Sequence, residues 1–199
     1  MSFDAVILAN GEFPKKGGAA WKLLASAKRV IACDGAAKAF RRRFGRWPTA
    51  VVGDMDSAGT LPAGVEAVRI PDQDTNDFEK AARWCRARGW KRLVAVGASG
   101  KREDHAVGNV FRALDLGIEL VSDFGRFIPF RGRMSFRVAK GTPVSVFAPD
   151  AATRMTSKGL EWPLDGVKFA NLYCATLNRA SAARVEMTSD RPALVYIAS

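Results

Sequence analysis

One histidine, His105, and three cysteines, Cys33, Cys85 and Cys174, are all the imidazoles and thiols that 199 residues offer. An odd number of well-separated cysteines with no C-x-x-C spacing argues against a disulfide framework and a zinc knuckle. With so few imidazoles and thiols, a bound metal would have to take oxygen ligands, as magnesium, manganese and calcium do. Long apolar runs are missing too: the longest are strand-sized, short of the roughly 20 residues a membrane helix needs. The start, MSFDAVILANG, has neither a basic n-region nor a small-residue cleavage site. These absences predict a protein of the reducing cytoplasm, with no membrane span and no signal peptide. There is no internal repeat and no low-complexity linker.

Acidic residues are the minority charge, 20 against 31 lysines and arginines, for a net charge of +11. Such a balance favours anionic partners. The bases are nevertheless scattered (Arg41 to Arg43, Arg83, Arg86, Arg88, Arg126, Arg131, Arg133, Arg137), without a helix-turn-helix, RNP or zinc-finger pattern. A small phosphorylated substrate fits that distribution better than nucleic acid.

What the chain does have is 48% hydrophobic residues, enough for a large core, arranged in two styles. Residues 4–9, 29–33, 49–53, 65–70, 92–97 and 118–122 read as buried strands. Helical periods lie between several of them. Phe78, Ala81, Ala82 and Cys85 recur at helical spacing behind the capping pair Asn76 and Glu79 and stop at Gly89; Val107, Val110, Phe111 and Leu114 repeat the pattern before Gly117. Alternation of this kind predicts an α/β N-terminal domain, residues 1–125, with a mostly parallel, Rossmann-like sheet. Beyond it, FIPFRG, MSFRVAK, TPVSVFAP, ATRMTSKG, ARVEMTS and ALVYIA are short, alternating and punctuated by Gly, Pro, Asp or Asn. They predict an all-β, sandwich-like C-terminal domain, residues 126–199.

Several of the scarce acids fall at corresponding places in the chain. In open α/β sheets ligands bind outside the carboxyl ends of the strands, and nearly every such end here delivers a carboxylate: Asp34 before Gly35, Asp54 and Asp56, Asp72, Asp74 and Asp77, then Asp104. Each alone could serve a turn or a helix start. Two carboxylates a few ångströms apart, however, repel by on the order of a kcal/mol even at high effective dielectric. A rim of them therefore implies a cation, and strand alternation would point Asp54 and Asp56 to one side to share it. The loop GASGKRED (97–104) adds small residues, Ser99, Lys101 and Arg102 before a helix start, a setting suited to phosphate oxygens. No P-loop and no G-x-G-x-x-G is present.

The ordered motifs DGAA (34–37), GDMDS (53–57), PDQDTNDFEKA (71–81), GASGKREDHAVGN (97–109) and TSKGLEWPL (156–164), with an Asn-containing turn at Asn178, resemble the thiamine pyrophosphokinase family. The resemblance spans nearly the whole chain. It implies a magnesium-dependent transfer of the pyrophosphoryl group of ATP to the hydroxyethyl group of thiamine, giving thiamine diphosphate and AMP. It implies catalytic and metal-holding roles for Asp54, Asp56, Asp77 and Asp104, a catalytic role for Arg102, and ATP contacts from Asn10, Asp34, Gly35, Lys80, Ser99, Lys101 and Arg102. Thiamine would meet Ser157 and the face of Trp162, with Gln73 a further candidate. The resemblance also implies a homodimer with active sites at its interface. Lys101 stands where a glycine is common in the family, Glu103 replaces an apolar residue, and Leu177 precedes Asn178 in place of a serine. His105, beside Asp104, reads as a capping or packing residue. The rival reading is another metal-dependent nucleotide-diphosphate transferase, such as a D-x-D glycosyltransferase, which accounts for GDMDS but not for the remaining motifs.

Overall fold

Strand β1 (Ala5–Leu8) is buried along its whole length, and β2 (Val30–Cys33) and β5 (Leu93–Val96) flank it in parallel. The computed structural model describes residues 3–57 and 59–199, which form two compact units, Met1–Asp123 and Phe124–Ser199. In the first, β3 (Ala50–Gly53) and β4 (Glu66–Arg69) extend the sheet beyond β2, and β6 (Glu119–Val121) extends it beyond β5, every pairing parallel. The order is thus β6-β5-β1-β2-β3-β4. The chain leaves β1 toward one side and later returns to its other side as β5, which makes the β1/β5 boundary the point where strand order reverses. Clefts form at such points because the flanking loops diverge.

Four helices, α1 (Ala19–Ser26), α2 (Ala36–Phe44), α3 (Asp77–Ala87) and α4 (Glu103–Leu116), accompany these strands. Leu24 of α1 and Ala37 and Phe40 of α2 pack with Val6, Leu8, Val30, Ala32 and Val51, the alternate residues that one sheet face presents. The opposite face of β1, β2 and β3 carries α3. With Phe40 fully buried, Phe40→Ala would cost about 3–5 kcal/mol.

Two expectations change here. Residues 65–70 do not form a buried strand: β4 is the sheet edge and is largely exposed, its charged Glu66 and Arg69 suiting an edge. On α4, the apolar positions do not all turn to the core, for Val107 is 57% and Phe111 40% exposed, while Ala113 is buried.

The second unit contains β7 (Gly125–Arg137), β8 (Pro143–Phe147), β9 (Met155–Lys158), β10 (Ala175–Arg179) and β11 (Arg184–Ala198), all paired antiparallel. Alternate residues of these strands, among them Val144, Val146, Val185, Met187, Val195 and Ile197, build its own core with Leu164 and Phe169. FIPFRG and MSFRVAK are one strand, β7, and ARVEMTS and ALVYIA are one strand, β11. The two run together from Arg184 opposite Arg137 to Ala198 opposite Gly125, irregular only between Ser189 and Ala193. Asn178 lies within β10 rather than in a plain turn, beside Leu177 in the left-handed region at φ 61°.

Candidate active site

A cleft of about 440 Å³ opens at the carboxyl ends of β1, β2, β3 and β5. Asn10 and Gly11 line it after β1, Cys33 at the end of β2, Asp54 after β3, Gln73, Asp77 and Lys80 around the start of α3, and Ser99, Lys101, Arg102, His105 and Asn109 from the loop and first turns of α4. It is lined by acids and bases together.

The acidic side centres on three residues. Asp54 follows the last residue of β3 directly, so strand alternation no longer applies to it. Met55 takes φ 71°, and Asp56 donates its backbone N–H to Asp54 Oδ1 at 3.2 Å. The segment is a turn that leaves Asp54 half-buried in the cleft and Asp56 exposed, which corrects the expectation that both point the same way. Asp34 is 4% exposed; its Oδ2 accepts from the Ser57 N–H at 2.8 Å, and its Oδ1 is buried without a hydrogen-bond partner. Asp77, in the first turn of α3, approaches Lys80 Nζ at 3.4 Å. Burial pushes its carboxyl above the usual carboxylate range; Lys80 opposes this, and the charges of Asp54 and Asp34 add to it. Gly53 makes this closeness possible. A Cβ there would stand 2.8 Å from Asp34 Cβ and 3.2 Å from Asp77 Oδ2.

The basic side is built on the β5–α4 loop. This loop and the end of β1 hold each other through Gly11 N–H to Gly97 O at 2.7 Å and Glu12 N–H to Ser99 O at 2.6 Å. A Cβ at Gly11 would fall 2.4 Å from both carbonyl oxygens. Lys101 Nζ donates to Asn10 Oδ1 at 3.1 Å, and the Asn10 amide packs against Gly35. Arg102 grips Asp104 through Nε at 3.1 Å and Nη2 at 2.5 Å. That guanidinium lowers the Asp104 carboxyl to about 2.

The structure therefore gathers Asp34, Asp54 and Asp77, with Lys80, on one side of the cleft, and Ser99, Lys101 and Arg102 on the other. It does not gather Asp56 and Asp104 with them: the one is exposed in the turn, the other committed to Arg102. Among the described residues no three His, Cys, Asp or Glu side chains converge closely enough to hold a metal by themselves. The donor set still suits magnesium, which usually takes one or two carboxylates and completes its shell with water and substrate phosphates. The buried, partnerless Asp34 Oδ1 and the raised Asp77 mark where a cation would relieve strain. Cys33 is a bystander in this respect; burial, then the neighbouring Asp77 charge, pushes its thiol well above its usual range and keeps it neutral. His105 neither caps nor packs; it is exposed and lines the cleft.

The remaining candidates sit in the second unit. Ser157 is buried, its Oγ accepting from the Leu164 N–H at 2.9 Å, which leaves the hydroxyl proton uncommitted by that bond. Trp162 is not a core residue, being 50% exposed. Asn178 fixes its backbone from both sides, accepting from the Trp162 N–H at 3.2 Å and donating to the Trp162 carbonyl at 2.6 Å. The Arg179 guanidinium lies 5.3 Å from the ring centroid. Sequence reasoning assigned no role to Asn109, although it ends the motif DHAVGN; the signal was the residue's place in the motif, and only the fold reveals what its amide touches.

A family model described as the catalytic domain of thiamin pyrophosphokinase matches residues 20–120, and one described as its substrate-binding domain matches residues 125–196. Thiamin pyrophosphokinase 1 of Caenorhabditis elegans is 31% identical over 114 residues, 52% of this chain and 47% of its own length. Thiamine pyrophosphokinase 1 of Arabidopsis thaliana is 27% identical over 180 residues, 77% of this chain and 66% of its own. The chain thus spans between about half and two thirds of these curated relatives. Among solved structures, thiamine pyrophosphokinase from Bacillus subtilis superposes with a TM-score of 0.78 at 16% identity, covering 98% of both chains. Thiamin pyrophosphokinase from Candida albicans gives 0.76 at 14%, covering 98% of this chain and 89% of its own. With both family models matched in order along nearly its whole length, the chain belongs to the thiamin pyrophosphokinase family.

Proposed function

We propose that this protein is a thiamine diphosphokinase that transfers the pyrophosphoryl group of ATP to the hydroxyl of thiamine, releasing AMP. The observation that carries the reading is the cleft itself, where Asp54 after β3 and Asp77 at the start of α3 line the same space as Lys101 and Arg102, at the point of strand-order reversal. Bases alone would suit a bare phosphate. Acids opposite bases suit a phosphate that arrives with its cation.

Transfer to an alcohol is largely a matter of placing the acceptor in line with the β-phosphorus and offsetting charge on the triphosphate. Lys80, Lys101 and Arg102 are the groups that would meet phosphate oxygens, Asn10, Asp34, Gly35 and Ser99 the nucleotide's surroundings. Asp54 and Asp77 would hold magnesium directly, with Asp34 behind them and Asp56 and Asp104 reached through water. Bound magnesium would supply charge neutralisation and orientation of the phosphates. Arg102 must leave Asp104 in part to reach a phosphate, which an exposed ion pair permits at little cost.

Thiamine is an aromatic cation. The half-exposed face of Trp162, held by Asn178, suits its stacking, with Ser157 and Gln73 as hydrogen-bonding groups. The proposal includes a homodimer, supported by the family and by the uncovered Val107 and Phe111 on α4, and a cytoplasmic setting, supported by three free cysteines. No described helix is long and apolar enough to cross a membrane. Incubation with ATP, magnesium and thiamine tests the reading: thiamine-dependent AMP is expected, and its absence from a folded, soluble preparation contradicts it.

A further inference from the structure

The N-termini of α3 and α4 both open onto the cleft, and two polar rungs one helical turn apart join the helices. In the rung nearer the cleft, Asn76 Nδ2 donates to Asn109 Oδ1 at 3.1 Å. In the deeper rung, Glu79, buried at 3% exposure, pairs with Arg112 Nε at 3.0 Å and also with Arg83 at 2.5 Å. Residues 76 and 79, like 109 and 112, are three apart, so each pair lies on one face of its helix.

The upper rung has a fixed polarity. The Glu79 N–H must find an acceptor, and it finds Asn76 Oδ1 at 2.9 Å. That turns the Asn76 NH₂ toward Asn109 and obliges Asn109 to present its oxygen. The Asn109 NH₂ is then left pointing at the Ala98 carbonyl, to which it donates at 2.8 Å. Each amide is used at both ends, and reversing either would set donor against donor or acceptor against acceptor. The ends of this chain of bonds are significant. One is the cap of the helix that begins with Asp77; the other is the backbone just before Ser99, in the loop that carries Lys101 and Arg102.

We propose that Asn109 is a positioning residue that sets the distance between the two sides of the cleft, holding the acid-bearing start of α3 against the phosphate-side loop. This rests on the proposed phosphoryl-transfer reading. A displacement of about 1 Å between groups that must act together can cost about a hundredfold in rate. The lower rung, by contrast, ties the same helices through Glu79 and Arg112, neither of which lines the cleft.

The test compares Asn109→Asp, Asn109→Ala and Arg112→Gln in the full chain. N109D keeps the size and the acceptor but faces Ala98's carbonyl with a carboxylate oxygen; N109A deletes both bonds without adding charge and carries the test if N109D fails to fold. For both Asn109 variants kcat is expected to fall about a hundredfold, with the thiamine KM within about twofold of the parent because the thiamine contacts assigned to the second unit are untouched. R112Q should lower Tm while leaving kcat within about twofold. An Asn109 variant with parental kcat, or a kcat loss matched by R112Q at equal loss of Tm, overturns the proposal. A second readout separates it from the functional reading: the rise in Tm that ATP with magnesium gives the parent should shrink in N109A and persist in R112Q. If the parent forms no AMP, the functional reading fails, and this shift still decides the positioning role, an undiminished N109A shift overturning it.

Discussion

The strands of the first unit and those of the second use their side chains in opposite ways. β1, β2, β3 and β5 are buried at every position, so both faces are spent on packing and chemistry is left to the residues just beyond each strand: Asn10, Asp34, Asp54 and Ser99. β9 and β11 alternate buried with exposed positions over much of their length. One face stays wet, and a group such as Trp162 can be displayed from the sheet's margin, held by the buried Asn178. A sheet covered on both sides concentrates function at its ends, whereas a sheet covered on one side can carry it on a face. The division of labour proposed here, phosphates at strand ends and an aromatic cation against Trp162, follows from that difference.

The comparison can be broken most severely at the strand ends. Asp54→Asn and Asp77→Asn should each lower kcat by about 10³-fold with the circular dichroism spectrum unchanged, since neither belongs to a hydrophobic core; turnover near the parent's in both would remove the acidic side from the account. Gly53→Ala should destabilise the first unit by roughly 1–3 kcal/mol in denaturant melts, because its Cβ would press on Asp34 Cβ at 2.8 Å; a neutral effect would mean that the acids have room to move apart. For the second unit, Trp162→Ala should raise the thiamine KM about tenfold, roughly what a partly desolvated cation–π contact supplies, and leave the ATP KM unchanged. An equal rise in both constants would erase the assignment of Trp162 to thiamine.

The smallest effect expected lies away from both sites. Asp4 accepts from the Arg92 N–H at 2.9 Å and the Lys91 N–H at 3.0 Å. These bonds, with the Arg92 charge, hold its carboxyl below the usual 3.8. A carboxylate whose pKa is lowered by folding contributes stability above the unfolded value, and loses it as pH falls through the folded one. Asp4→Asn should therefore lower Tm slightly at neutral pH, and the difference from the parent should shrink as pH falls through the lowered carboxylate range. A constant difference down to low pH would show that ionisation of Asp4 is not involved.

Much of the first unit is legible in the chain because packing on two faces writes continuous Val, Ile and Ala runs, and because Asn76 caps α3 as its spacing suggests, its Oδ1 accepting from the Glu79 N–H. The cap is not a full capping box, however, since the Glu79 side chain is drawn away to Arg83 and Arg112. Less legible are features set by tertiary context. Met55 adopts a left-handed backbone that no propensity assigns to methionine, and that single residue separates the paths of Asp54 and Asp56. In the second unit Gly132 and Pro192 read as strand breaks, yet they fall at the irregularity where β7 and β11 bend together without parting. The short strand β10 went unseen because Leu177, exposed at 88%, interrupts its alternation. Asn109 could be placed in a motif, but its work depends on two bonds to residues 33 and 11 positions away.

The central claim is that the acids and bases of the cleft together hand a pyrophosphoryl group to thiamine. Its most direct measurement is the product pair formed from ATP, magnesium and thiamine by the full chain, resolved chromatographically. The account predicts AMP and thiamine diphosphate in equal amounts; ADP with thiamine monophosphate, or AMP formed at the same rate without thiamine, would contradict it.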